Sequence, residues 1–147
     1  MTDKREIFLE DLLKKSRVMV LSFMKDGELW SAPLYFIFND GCFFFFSSKN
    51  SRHVKAKKVS FVVYLDSNDF REIKGIQGSG TLFELDNSPL KGKILFEYME
   101  KYPESKRLIY KVFEVKNVGI FGINVRRAIL TYNDPLLFTR EDITQIL

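Results

Sequence analysis

The sequence predicts a mainly β protein, an antiparallel barrel with helices at its edges. Three observations carry this. Apolar runs with β-branched and aromatic residues recur from Val18 to about Leu85. Two of the junctions between them hold Asp-Gly, the dipeptide of tight hairpins: Asp26-Gly27 and Asp40-Gly41. Helical periodicity is confined to the two flanks of this block.

The elements follow in order. Residues 3 to 16 read as a helix, with Thr2 as a cap, acids early, and Lys14 and Lys15 late. Phe8 with Leu12, and Leu9 with Leu13, stand four apart on one face. VMVLSFM (18–24), LWSAPLYFIF (29–38), CFFFFS (42–47), SFVVYL (60–65) and IQGSGTLFEL (76–85) read as strands. Ser88 and Pro89 suit an N-cap and a first helical position, and residues 89 to 101 and 104 to 109 read as helices interrupted by Pro103. YKVFEV (110–115) and RAILTY (127–132) read as two further strands, and the tail TREDITQIL as a terminal helical turn. Without linker or repeat, residues 1–147 are expected to form one domain, a barrel of about six strands.

Composition sets limits. At 46% apolar the chain can fill a core, and its 15 Phe residues suggest a second buried surface beyond the barrel interior. Alternation sends Phe43 and Phe45 to one side of their strand and Phe44 and Phe46 to the other. Both sides must then be dry, the second under a helix or a second subunit in an isologous dimer. A single Cys42 excludes an internal disulfide framework and reads as a buried, reduced thiol. The charged N-terminus has no secretory h-region and no apolar run reaches the ~20 residues of a membrane span, so a cytoplasmic location is expected.

The chemistry concentrates at SSKNSRHVKAKK, residues 47–58. One His and one Cys cannot build a closed zinc site, and no metal is expected. No G-x-S-x-G elbow is present, and no catalytic side chain can be named. GIQGSG has Rossmann-like glycines in reversed spacing inside a strand. Gly78 and Gly80 therefore read as a bulge or as a close approach of backbone to a ligand. By contrast, Ser47 and Ser48 end a strand, and Asn50 or Ser51 can cap a short helix from Arg52 to Lys58. Hydroxyls, an Arg and His53 meet there, a donor set suited to a phosphate dianion. Two other readings stay open: a solvated basic face, and a nucleic-acid patch of Lys49, Arg52, Lys55, Lys57 and Lys58. The patch is disfavoured because the neighbouring aromatics lie in strand cores.

An N-terminal helix, then DGELWSAPLYFIFNDGCFFFFSS, NSRHVKA, VSFVVYL and IQGSGTLFEL in that order resembles the FMN-binding split-barrel proteins related to pyridoxamine phosphate oxidase, over roughly residues 3 to 85. The resemblance implies a split β-barrel, FMN as cofactor, and a homodimer with the flavin at the subunit interface. It implies a flavoprotein, an FMN-dependent oxidoreductase on a small substrate or a non-catalytic flavin or haem binder, with His53 a candidate axial ligand in the latter. Carried over by position, Ser47, Ser48, Ser51, Arg52 and His53 would hold the phosphate, His53 standing where the family has Lys. Ala32, Pro33 and Leu34 would lie along the flavin ring. Trp30 and Tyr35 stand where oxidase members carry Arg and Lys, and Gln77 would reach the flavin from a later strand. The tail LTYNDPLLFTREDITQIL lacks the family's Arg- and Trp-bearing substrate motif, so pyridoxamine phosphate is not expected as substrate.

Overall fold

A computed structural model describes residues 4–86, 88–109, 117–134 and 137–147. Its elements are α1 (Lys4–Lys15), β1 (Val18–Lys25), β2 (Glu28–Tyr35), β3 (Ile37–Asn39), β4 (Cys42–Ser48), β5 (Lys58–Leu65), β6 (Lys74–Glu84), α2 (Ser88–Lys101), β7 (Val118–Asp134) and β8 (Leu137–Asp142). Short 3-10 turns cover Arg52–Lys55, Phe70–Glu72 and Pro103–Ser105.

Both predicted hairpins form. Asp26 and Gly27 take φ of 52° and 77°, and Asp40 and Gly41 take 47° and 80°. That left-handed pair is the backbone of a turn whose twist matches the flanking strands, and Asp-Gly adopts it at low cost.

The strand order is β2-β1-β5-β6-β7-β4-β3, with β8 pairing β7 and every pairing antiparallel. This order closes the barrel by arithmetic. β2 and β3 sit at opposite ends of the sheet, yet only Phe36 separates them in the chain. The sheet must therefore curl until its two edges meet at that residue. The sequence reading ran one strand through LWSAPLYFIF, but Phe36 is the corner that splits it. The Tyr102 hydroxyl holds the corner: it accepts from Phe36 N–H at 3.1 Å, and its one proton lies between two acceptors, Phe36 O at 2.5 Å and Arg17 O at 2.8 Å.

β7 is a single long strand from Val118, of which RAILTY is the later half. It pairs β4 through its first part and β6 through most of its length. The predicted strand YKVFEV lies outside the described residues, as does Thr2. The expected terminal helix is instead β8 followed by a turn, because Thr139 to Asp142 pair with β7 before Thr144 is reached.

The barrel interior holds Met19, Leu21, Phe23, Phe43, Phe45, Phe61, Val63, Ile76, Phe121 and Ile123, capped by Leu9, Leu12 and Leu13 of α1. A second cluster gathers Phe44, Ile37, Leu85, Ile94, Tyr102 and Ile120, with Phe46, Phe83 and Tyr98 at its margin. So the alternation of the Phe run holds, and α2, which carries Ile94 and Tyr98, covers the outer face. A subunit contact is not needed to keep that face dry. Cys42 is free and half-buried; its thiol donates to Asn124 Oδ1 at 3.3 Å, and burial pushes its pKa up.

The glycine question is settled within the sheet. The pairing register of β6 and β7 shifts between Ser79 and Gly80. A Cβ on Gly78 would strike the Arg127 carbonyl oxygen and the Phe61 ring, and one on Gly80 the Asn124 carbonyl oxygen. The backbone that approaches these glycines is β7, so they serve the bulge.

Candidate functional site

Three sequence-predicted residues, Ser47, Ser51 and His53, meet where β4 ends and the 3-10 turn begins, with Ser48 and Arg52 in the same segment. Ser47 is the first residue of β4 beyond the Phe run, and the chain reverses after Ser48, whose Oγ accepts from Asn50 N–H at 3.2 Å. The reversal carries Ser51 and His53 back onto Ser47. The Ser47 hydroxyl donates to Ser51 Oγ at 3.2 Å, and Ser47 Oγ lies 2.7 Å from His53 Nε2. The expected helix from Arg52 to Lys58 is a single 3-10 turn ending at Lys55, because β5 already begins at Lys58. Ser51 occupies the N-cap position of that turn but its side chain makes no capping hydrogen bond. Its hydroxyl is turned to Ser47 instead.

Aromatic rings wall the imidazole. The His53 ring lies 6.1 Å from Phe23 and 5.9 Å from Phe45, centroid to centroid. This desolvation lowers the His53 pKa below its ordinary value, so the ring is neutral at pH 7. Phe23 pairs with Trp30 across β1 and β2, and Trp30 in turn carries Arg52, whose guanidinium carbon stands 4.2 Å from the indole centroid. Stacking uses only the face of a guanidinium. The N–H groups in its plane stay available for an anion, and Arg52 makes no ion pair with any described residue. Lys49, in the same loop, is held by Glu84 at 3.1 Å.

The other predicted residues lie elsewhere. Ala32 and Leu34 point inward and pack on the main core, leaving only their backbone to a ligand. Tyr35 packs on Tyr102 at 5.3 Å and under Arg17. Pro33 pairs with Val20 on the outward face of β2. Gln77 lines a separate groove of about 410 Å³ on the outer sheet face, with Ser22, Ser60, Ser79 and Arg127. Cross-strand register makes this a row, Ser31–Ser22–Ser60–Ser79–Arg127 over five neighbouring strands. Sequence reasoning missed it. Each Ser sits at an outward position of its strand, but only the register aligns them.

The donor set fits a phosphorylated planar cofactor. Two hydroxyls, an imidazole and a guanidinium with no ion-pair partner among the described residues share this turn, a donor set suited to an anion, and Trp30 lies beside them, partly exposed. No helix among the described residues is long and apolar enough to cross a membrane.

No family model and no curated protein matches the chain. Solved structures do. HutZ, the heme storage protein from Vibrio cholerae, is 14% identical with a TM-score of 0.73, covering 92% of this chain and 100% of that one. A putative pyridoxamine 5'-phosphate oxidase from Listeria innocua is 11% identical, with a TM-score of 0.66 and coverage of 86% and 98%. A FAD-binding protein from Mesorhizobium loti is 18% identical, with a TM-score of 0.62 and coverage of 83% and 88%. With its antiparallel half-barrel sheet and flanking helices, the chain has the split-barrel fold of the pyridoxamine 5'-phosphate oxidase-like proteins.

Proposed function

We propose that this protein binds FMN, works as a cytoplasmic homodimer with the flavin at the subunit interface, and is an oxidoreductase acting on a small substrate. The observation that carries the cofactor reading is the Ser47–Ser51–His53 cluster beside an Arg52 that rests on Trp30 and has no ion-pair partner among the described residues. Arg52 and Ser51 would hold the phosphate, with Ser47 and His53 behind them. The edge strand β2 would offer backbone groups of Ala32, Pro33 and Leu34 to the ring. The groove holding Gln77 and the serine row lies on a sheet face that this chain leaves exposed, where a second subunit could complete the site. Bound flavin supplies hydride or electron transfer, while the protein supplies orientation and electrostatics.

Haem is the second reading, because HutZ is a heme storage protein of the same fold. His53 is poorly placed as an axial ligand: its Nε2 is engaged by Ser47, and its ring is lodged between Phe23 and Phe45. An absorbance spectrum after reconstitution and desalting decides between them. A retained two-band flavin spectrum is expected; a Soret band would favour haem, and a colourless protein would sink both.

A further inference from the structure

The three polar groups of the turn are linked in series, and their proton count gives the series a direction. A serine hydroxyl has one proton. Ser47 donates its proton to Ser51 Oγ. Its contact with His53 Nε2 at 2.7 Å therefore needs the imidazole to be the donor, which places the ring proton on Nε2. The Ser51 hydroxyl, already accepting from Ser47 and not used as a cap, then has its own proton to give outward. The chain runs His53 Nε2–H to Ser47, Ser47 to Ser51, and Ser51 to whatever occupies the seat.

Such a chain fits an acceptor and rejects a donor. It also tolerates a second proton on the imidazole. Protonation would occur at Nδ1, leaving Nε2–H and the downstream hydrogen bonds as they are, and it would add a positive charge behind two polarisable hydroxyls. The surroundings decide when that happens. Phe23 of β1 and Phe45 of β4 face the ring and bring no charge. Of the charged groups in the same segment, Lys49 is neutralised by Glu84, Arg52 lies over Trp30, and Lys55 ends the turn. Burial alone keeps the free imidazole neutral. An arriving dianion would reverse that balance.

Resting on the reading of this turn as a phosphate seat, we propose that His53 is a positioning residue. It orients Ser47 and Ser51 toward the ligand and takes up a proton from solvent when a phosphate monoester docks, so the seat holds such esters more tightly as pH falls. The sign follows from linkage. The bound form has the more basic imidazole, so the gain in affinity is complete below the free imidazole's range and vanishes above that of the complex. An opposite charge at close range raises an imidazole by ~1–3 units, which predicts a gain of about twofold to about twentyfold between about pH 8 and about pH 6.5. The ester stays largely dianionic over this span, since its second ionisation lies near ~6.

The test is a fluorescence titration of the cofactor-free protein with FMN and with riboflavin at both pH values. The wild type should bind FMN about twofold to about twentyfold more tightly at the lower pH, with riboflavin unaffected. His53→Gln keeps a donor but cannot charge, and should lose the pH gain while still preferring FMN. His53→Lys should hold FMN tightly at both values. Ser51→Ala, which leaves the Ser47–His53 pair in place, should narrow the preference for FMN over riboflavin. An equal pH gain in His53→Gln and wild type would overturn the role of His53 while leaving the phosphate seat standing. Riboflavin bound as tightly as FMN, or neither bound, would remove the seat itself and this proposal with it.

Discussion

Two corners of this barrel pair a cation with aromatic rings, and they differ in what is left over. At the corner of Phe36, Arg17 lies 5.3 Å from the Tyr102 ring and is paired with Glu104. Lys101 sits 3.8 Å from the Phe36 centroid and donates to Leu13 O at 2.9 Å. The Tyr102 hydroxyl is shared among three backbone groups. Both cations and the Tyr102 hydroxyl there have partners within the chain. At the turn after β4, Arg52 stacks on Trp30 without an ion-pair partner among the described residues, and Ser51 keeps a proton to give. The first corner closes the sheet. The second has donors to spare, which is what a ligand site needs and a structural knot avoids.

The sharpest break of this comparison is Tyr102→Phe. It leaves the half of the corner at Phe36 N–H without an acceptor, and a loss of ~1–3 kcal/mol of stability is expected in chemical denaturation. The flavin preference of the refolded protein should not change. Arg52→Ala is the mirror image. Removing charge-assisted hydrogen bonds should weaken FMN binding by roughly 10- to 100-fold, with thermal stability within ~0.5 kcal/mol of wild type. Were Arg52→Ala to unfold the protein instead, the distinction between the corners would collapse.

Smaller effects sharpen it. Burial, and then the charge of Arg17, lowers Lys101 to about 8. In that case the unfolded chain binds more protons than the folded one above this pH, so stability should rise as pH goes from about 8 toward 10. The rise ends there, because burial raises Tyr98 to about 12 and raises Tyr102 as well, which favours unfolding once free tyrosine ionises above ~10. A thermal melt series should show the rise in the wild type and not in Lys101→Met. Smallest of all is Arg17→Ala. Its ion pair with Glu104 is exposed, so only a slight loss of stability is expected, reduced further by salt.

Much of the fold was legible because its signals are local. Asp26-Gly27 and Asp40-Gly41 announce their hairpins from two residues each, and the alternation of Phe43 to Phe46 announces two dry faces. Pro103 announces the end of α2. What failed was non-local. LWSAPLYFIF carries its one breaker, Pro33, three residues ahead of the corner, so nothing in it marks Phe36. TREDITQIL has helical composition, yet β7 offers it an edge to pair with.

The candidate site divides the same way. Ser47, Ser51, Arg52 and His53 lie within seven residues, so their meeting was readable from spacing alone. Trp30 joins them only through β1, which sets Phe23 beside both Trp30 and the imidazole. Gln77, Pro33 and Tyr35 make no contact with the cluster, and the serine row exists only through the register of five strands.

By itself, then, the sequence determined most of the elements, the hairpins, the dry faces of the Phe strand and the basic hydroxyl-bearing turn, since all depend on neighbours within a few residues. Tertiary structure alone decided that α2 covers the outer Phe face, that the glycines serve a bulge, and that the imidazole is half-buried and neutral at pH 7. Those outcomes depend on which strand lies beside which, and register is a property of the closed sheet.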